Sequence, residues 1–307
     1  MSSLYDIAWL LNVRGGDISY VPVVLSYLAL SQDSCIWFLQ EEVVTETLKA
    51  YLDKNGIQTR PYDDFYEYVK HIDEKETVLL NTSIVNYRIC DSLPDGVKVI
   101  DAEDPTVVMK AVKNEVQLEN LRKAHLKDAV AMCKFMYWLK TNIGKIPMTE
   151  ISASDYLASL RAEQEGFLDL SFATICGYAD HGAIVHYSAT EESDRQLKPE
   201  SLLLVDSGGH YLEGTTDITR TFALGPVTDE MKDMFTRVCR SNMNLANARF
   251  KEGCSGLNFD ILARELYGRL AWTTITAPDT VWAMCSMCMR DQTAFTGSST
   301  RAEPQSV

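Results

Sequence analysis

The sequence predicts two domains, the first of α/β class and the second of α+β class. The chain has 307 residues, enough for about two domains of ~100–200 residues each. Short apolar runs alternate with helical patterns over roughly the first hundred residues, as in α/β domains. From Asn114 onward, two long helical patterns come first and short strands follow. We therefore expect the first domain over residues 1–113 and the second over residues 114–264.

The elements of the first domain follow from short apolar runs and one helical repeat. Apolar runs predict strands at residues 6–11, 22–30, 34–39, 77–80 and 97–100. Residues 41–52 place their apolar side chains on one face of a helix. Residues 94–96, Pro-Asp-Gly, form a turn signal before the last strand.

The second domain begins with the longest helical pattern in the chain, at residues 115–139. A second helix is predicted at residues 149–165 and ends at Gly166. Strands are predicted at residues 171–176, 183–187, 202–205, 211–212 and 218–224. A further helix covers residues 228–250, with Thr228 as its N-cap.

Composition excludes several classes of function. The sequence has 29 basic and 43 acidic residues, a net charge of −14, which argues against nucleic-acid or anionic-membrane binding. No apolar run approaches the ~20 residues of a membrane span, and the first residues lack the layout of a signal peptide. A cytoplasmic protein is expected. The first six of its eight cysteines are expected to be reduced and mostly buried, and the Cys285/Cys288 pair has no partner motif.

Two acidic residues predict the site. The apolar run at residues 202–205 ends in Asp206, and Asp217 begins the returning strand eleven residues later. Paired strands lie ~5 Å apart, so two facing carboxylates suit a two-metal site whose ions are ~3.5–4 Å apart. Alternatively, Asp206 caps a turn and Asp217 is an Asx-turn residue. Spacing alone leaves both interpretations open.

Histidines offer a second set of candidates. His186 ends an apolar run, so it is either a core histidine or a neutral imidazole that holds a substrate or a proton near the acids. His181 and His210 lie in turn-like contexts and are expected to be solvated.

Three segments, DIAWLLNVRG (6–15), GAIVHY (182–187) and VDSGGHYLEGTTDITRT (205–221), resemble the Xaa-Pro aminopeptidases (aminopeptidase P) of the pita-bread metallopeptidase family. The resemblance runs from residue 1 to about residue 264. It implies a creatinase-like N-terminal domain followed by the first half of a pita-bread catalytic domain. Because that fold packs two similar halves together, apolar side chains of this half should lose their cover: Leu202, Leu204, Ile218 and Phe222.

The resemblance also implies roles for individual residues. Asp206 and Asp217 match the two aspartate ligands of a pair of divalent ions, usually manganese. His186 matches the histidine that contacts the peptide, and Phe172, in SFATI, matches an aromatic position on the wall of the site. The implied reaction releases the N-terminal residue from peptides with proline second, in a cytoplasmic homodimer. A catalytically dead peptide-binding or dimerisation module, or a prolidase-type dipeptidase, remains an alternative.

The last segment departs from the family. The resemblance starts at the second of the family's three domains, so we expect the first to be absent, and the sequence shows neither the family's HGTGHGVG motif nor its later glutamate ligands. Reading the codons after Arg264 one base out of register permits a continuation that contains HGTGHGVG and VHEGP without conflict. We therefore expect residues 265–307 to be out-of-frame translation. Without the His/Glu/Glu ligands, the chain as written is predicted to be inactive.

Overall fold

The computed structural model describes residues 1–251 and 253–268. It divides into two compact units, Met1–Asn114 and a second that begins at Glu115. The predicted out-of-frame segment lies beyond Gly268 for almost all its length, outside the described residues. The same holds for Cys285 and Cys288. Both predictions therefore remain untested by the structure.

The first unit is built on short parallel and antiparallel strands. Its elements are α1 (Leu4–Leu11), β1 (Tyr27–Leu30), β2 (Cys35–Leu39), α2 (Glu46–Lys54), β3 (Ile57–Pro61), α3 (Phe65–Lys70), β4 (Thr77–Leu80), α4 (Tyr87–Ser92), β5 (Lys98–Asp101) and α5 (Pro105–Ala111). In one sheet, of order β1-β2-β3, β1 is antiparallel and β3 parallel to the central strand, while β4 and β5 form a parallel pair. Strand β2 has both faces covered, which explains its unbroken apolar run.

The prediction of a strand at residues 6–11 is wrong, because this run forms α1. Ser3 caps the helix by accepting a hydrogen bond from the Asp6 N–H at 3.4 Å. Asn12, with φ 51°, ends it in the left-handed conformation. A six-residue apolar run does not distinguish a buried strand from a buried helix, and the cap decides the outcome here.

The second unit places two helices against a three-stranded sheet. Its elements are α6 (Glu115–Asn142), α7 (Glu150–Ala162), β6 (Phe167–Leu170), β7 (Ile175–Tyr178), β8 (Leu202–Ser207), β9 (Gly209–Tyr211), β10 (Gly214–Thr215), β11 (Ile218–Ala223), α8 (Asp229–Ala246) and α9 (Asp260–Gly268). Strand β8 lies between β11 and β7 and is antiparallel to both. A second sheet has the order β10-β9-β6.

One face of the β11-β8-β7 sheet forms the core of this unit with α6 and α7. Leu203 and Val205 of β8 are fully buried on this face, and the ring centroid of Phe222 lies 5.9 Å from that of Phe135 on α6. Ile218 packs against the same core. The expectation that Phe222 and Ile218 lose their cover is therefore wrong. Leu202 and Leu204 alternate to the other face and are half-buried.

Two of the predicted strands of this unit differ from the structure. The run at 171–176 is split, because the chain leaves one sheet at Leu170 and enters the other at Ile175. Residues 183–187 are not a strand, since a short 3-10 turn covers Ala179–Ala183, with Gly182 packed against Gly177 of β7, and a further turn covers residues 184–186.

The cysteine prediction is partly wrong. Cysteines 35, 90, 133, 176, 239 and 254 are all free thiols, but only Cys176 is buried. Burial raises the pKa of the Cys176 thiol to about 12, so it stays protonated. Among residues 1–251 and 253–268, no helix is long and apolar enough to cross a membrane.

The core of the second unit predicts a sharp contrast between neighbouring positions of α6. Phe135 is fully buried, whereas Tyr137 is 74% exposed. We expect Phe135→Ala to lower the free energy of unfolding by ~3–5 kcal/mol, because it leaves a cavity against Phe222. The matched variant Tyr137→Ala should change it by about 0.5 kcal/mol or less. Urea unfolding measures both, and equal losses would place the core elsewhere.

Candidate active site

The two acidic residues of the predicted site meet at one end of the β11-β8-β7 sheet. Asp206 lies near the end of β8, is 5% exposed, and pairs across the sheet with Thr219 on β11 and Ile175 on β7. Asp217 directly precedes β11 and is half-buried. The two carboxyl groups lie within hydrogen-bonding reach of each other. The structure thus brings together both acids that spacing singled out.

The chain between the acids is not a simple hairpin. After Ser207 it turns aside into β9 and β10, which belong to the second sheet, and returns at Thr216. Gly208 allows this turn, because a Cβ there would overlap the Thr216 carbonyl oxygen and the Ser171 hydroxyl. Ser171 Oγ donates to that carbonyl at 2.9 Å. This close packing sets the separation of Asp206 and Asp217.

Burial makes the acid pair unusual in its titration. Burial, and then the charge of Asp206, raise the pKa of Asp217 to about 7. Burial also raises the pKa of Asp206, although the Thr219 hydroxyl, Asp217 and the charge of His186 act in the opposite direction. Asp217 is therefore partly protonated near neutral pH. Such pairs are typical of functional sites.

The oxygen atoms of this pair fit a divalent cation. Asp206 Oδ1 and Ser207 Oγ are buried, and neither has a hydrogen-bond partner within the described part of the chain. Unpaired carboxylate oxygens are what hard divalent ions bind. Within residues 1–251 and 253–268, however, no group of three His, Cys, Asp or Glu side chains is arranged to hold a metal. The described residues supply two acids and no more.

His186 lies close enough to Asp206 for its charge to act on that carboxyl group, and it lies on an irregular segment. Its side chain is exposed, its φ of 55° is left-handed, and its charge acts on Asp206. The segment reaches this position by crossing β7. Gly182 passes so close that a Cβ on Gly177 would lie 2.8 Å from the Gly182 Cα. Of the two sequence interpretations, the buried core histidine is wrong.

Phe172 lies in the bend between β6 and β7 and is half-buried. The preceding residue, Ser171, is tied to the turn between the acids, since its N–H donates to Gly208 O at 3.2 Å. Phe172 therefore lies near the same end of the β11-β8-β7 sheet as Asp206. Its assignment to the wall of a peptide site stays a prediction.

Sequence reasoning missed a buried cluster around Glu150, the first residue of α7. The Glu150 carboxylate is fully buried and accepts hydrogen bonds from the Tyr178 N–H at 2.7 Å, the Tyr187 hydroxyl at 2.9 Å and the Arg195 N–H at 3.2 Å. His181 Nδ1 lies 3.0 and 3.1 Å from its two oxygens. The expectation that His181 is solvated is wrong. His210, by contrast, lies on β9 with Nδ1 2.8 Å from Thr215 Oγ1.

A second missed cluster is the buried ion pair between Asp128 on α6 and Arg161 on α7. Arg161 Nε lies 2.6 Å from Asp128 Oδ1 and Nη2 lies 3.2 Å from Oδ2. The Tyr211 hydroxyl donates to Asp128 Oδ1 at 3.1 Å. Burial, together with the Asp128 charge, raises the pKa of Tyr211. The positive charge of Arg161 also lowers the pKa of Asp217, against the larger effect of burial.

Comparison with known families agrees with this architecture. The family described as "Creatinase/Prolidase N-terminal domain" matches residues 1–117, and "Metallopeptidase family M24" matches residues 119–285. The second match covers more than half of the chain. The chain therefore belongs to metallopeptidase family M24. The predicted fold class, a creatinase-type domain followed by a pita-bread domain, is confirmed.

Individual relatives are similar to this chain over most of its length. A Sordaria macrospora protein named "Probable Xaa-Pro aminopeptidase P" is 35% identical over 276 residues, which cover 86% of this chain and 45% of the relative. An X-prolyl aminopeptidase from Caenorhabditis elegans, described as a cytosolic enzyme with a di-nuclear active site, superposes with a TM-score of 0.82 at 31% identity. It is matched over 87% of this chain and 45% of its own length. The chain thus spans about half the length of these relatives.

A solved Xaa-Pro dipeptidase from Bacillus anthracis is also similar, with a TM-score of 0.64 and 18% identity over 87% of this chain and 71% of its own. At that identity the likeness extends to the fold alone. The M24 match reaches residue 285 and so includes the first part of the segment for which a shifted reading frame is predicted. The frameshift stays a prediction.

The acid pair predicts how stability depends on pH in the absence of metal. Because the pKa of Asp217 rises from 3.8 to about 7 on folding, the folded state binds more protons than the unfolded state between these values. Stability should therefore fall as the pH rises from 4 to 7. Asp217→Asn does not titrate and should gain about 1–3 kcal/mol over the wild type by pH 7, a value reduced for the partial solvent access of Asp217.

Urea unfolding in EDTA from pH 4 to pH 8 measures this difference. Asp180→Asn is the matched control, because Arg195 lowers the pKa of Asp180 instead of raising it. That variant should gain nothing over the same range. An Asp217→Asn advantage that does not change with pH would contradict the raised pKa of Asp217.

Proposed function

We propose that Asp206 and Asp217 are the aspartate half of a two-metal peptidase site that acts on peptides with proline in the second position. The observation that carries this proposal is the closeness of a buried and a half-buried carboxyl group, the buried one having an oxygen without a partner among the described residues. The C. elegans enzyme with a di-nuclear site, 31% identical to this chain, supports it. Manganese is the metal we propose.

The chain's own residues would divide the work. Asp206 and Asp217 would bind the cations as carboxylates, so the proton that Asp217 partly retains near neutral pH must leave first. His186, exposed and close to Asp206, would donate a hydrogen bond to the peptide carbonyl and to the negative charge that develops there. Phe172 would supply an apolar wall. Divalent cations supply Lewis acidity when bound at such a site.

A cytoplasmic location and a homodimeric assembly complete the proposal. The location is supported by the C. elegans relative, which is described as cytosolic. The assembly follows from the resemblance of the segments that carry Asp206 and His186 to the Xaa-Pro aminopeptidases. A prolidase-type activity is supported less, because the dipeptidase likeness, at 18% identity, extends to the fold alone.

A second candidate function is a peptide-binding module without catalysis. The observation that favours it is that the part of the chain described by the structure offers two metal ligands, whereas hard cations gain affinity from ligand number and charge. Metal content and turnover separate the two candidates, because a binding module retains peptide without releasing its first residue.

We expect the 307-residue chain to bind manganese weakly and to release no N-terminal residue from an Xaa-Pro tripeptide above background. Calorimetric titration with MnCl2 and chromatography of the products measure the two quantities. Affinity should rise from pH 5 to pH 7.5, because the cation displaces the proton of the acid pair. Asp206→Asn and Asp217→Asn should each abolish binding, whereas Asp180→Asn, on the exposed Asp180, should not.

The companion experiment restores one base near codon 264. The resulting chain should cleave Xaa-Pro tripeptides in the presence of manganese and lose that activity with Asp217→Asn. Cleavage by the unaltered chain would mean that residues 269–307 supply ligands. A reframed chain that binds peptide but never cleaves it would favour the binding module.

A further inference from the structure

The Glu150 cluster lies outside the acid pair, yet it holds the segment that carries His186. Glu150 starts α7 and its carboxylate is fully buried. Three groups donate hydrogen bonds to it: the Tyr178 N–H at the end of β7, the Tyr187 hydroxyl and the Arg195 N–H. Residues 179–187, which follow β7 and pass against it at Gly182, are called the crossing segment. The ring of His181, which is 31 positions after Glu150 in the sequence, also contacts this carboxylate. One carboxylate therefore joins α7 to four residues within 178–195.

The backbone of the crossing segment is strained at both ends. Ala179 and His186 have φ values of 54° and 55°, a left-handed conformation that non-glycine residues rarely adopt. Strain of this kind persists only where the surroundings impose it. The strained residues lie next to Tyr178 and Tyr187, and both of those donate to Glu150. The residues with strained backbone are thus adjacent to the residues that Glu150 holds.

The same segment has few other supports in the part of the chain that the structure describes. Residues 183–186 are exposed, including Ile184 at 50% and Val185 at 41%. Its backbone bonds are local ones, from the Ile184 N–H to His181 O at 3.1 Å and from the Tyr187 N–H to Ile184 O at 3.2 Å. The ring of His181 packs on that of Tyr187, with centroids 4.5 Å apart. The contacts with Glu150 therefore attach the largely exposed crossing segment to a buried group.

We propose that Glu150 is a positioning residue: through Tyr187 and His181 it holds the segment 181–187 across β7 so that His186 stands beside Asp206. The inference rests on the proposed function in one respect, that His186 contacts the peptide. A carboxylate suits this position better than an amide. Both of its oxygens accept, whereas a glutamine would turn an NH2 group toward donors such as the Tyr178 or Arg195 N–H.

The first test is amide hydrogen exchange of the ligand-free chain. Glu150→Gln should accelerate exchange across residues 181–195 by about tenfold or more, the factor that corresponds to roughly one lost hydrogen bond. Tyr187→Phe keeps the ring against His181, loses the contacts of the hydroxyl with Glu150 and with Ser193, and should accelerate exchange less, because the other bonds to Glu150 remain. Exchange at Leu203 and Val205 of β8 should not change in either variant.

Tyr178→Phe is the matched control. It also removes one tyrosine hydroxyl from the same unit, but that hydroxyl donates to Glu200 O at 3.3 Å and not to Glu150. Its exchange across 181–187 should match the wild type. Unchanged exchange in Glu150→Gln and Tyr187→Phe would overturn the inference, and so would equal acceleration in β8, which indicates general destabilisation.

The second test separates positioning from stability through binding. Tyr187→Phe should weaken the binding of an Xaa-Pro tripeptide several-fold in the presence of manganese, while its manganese affinity stays within twofold of wild type. Parallel loss of both affinities would overturn a positioning role. If neither the wild type nor the chain with the restored base binds a tripeptide, the proposed function fails, and the exchange experiment alone decides the role of Glu150.

Discussion

The buried ion pair between Asp128 and Arg161 is the interaction on which the second unit depends most. Its two charges are essentially excluded from water, and the Tyr211 hydroxyl adds a third bond at 3.1 Å. Removing one partner of such a pair leaves an uncompensated charge and typically costs ~3–5 kcal/mol. The pair ties α6 and α7 to β9. Strand β9 follows β8 after Gly208, so the strand that the pair anchors is continuous in sequence with the one that carries Asp206.

The site itself opposes folding. Two carboxyl groups are held close together with little water, and burial raises the pKa of both. The apolar face of the same sheet supplies the compensating stability, with Leu203 and Val205 fully buried against α6 and α7. Because side chains alternate between the two faces of β8, this one strand contributes both to the core and to the site. One face builds the core, and the other presents Asp206, whose Oδ1 has no hydrogen-bond partner among the described residues and suits a proton or a cation.

Regular and irregular parts of the site are held by different forces. Asp206 and Asp217 take their positions from strand pairing and from the close turn at Gly208. His186 lies on a segment without strand pairing, whose backbone is left-handed at Ala179 and at His186 itself. Side-chain hydrogen bonds to the buried Glu150 take the place of the missing ladder there. Such segments are commonly the less stable parts of a fold.

Much of the fold and part of the site could be predicted from local pattern. The helix at Glu115, the Thr228 cap and the strands at Leu202–Ser207 and Ile218–Ala223 are determined by neighbours in sequence, and the facing acids follow from the last two. Family membership follows from the motifs around Asp206. By contrast, the crossing at residues 183–187 and the burial of His181 depended on tertiary structure. Glu150 reads locally as an ordinary first-turn acid, and its partners lie 28 to 45 positions away. The reason is physical: apolar periodicity is a property of adjacent residues, whereas a buried charge is decided by the donors that only the folded chain brings to it.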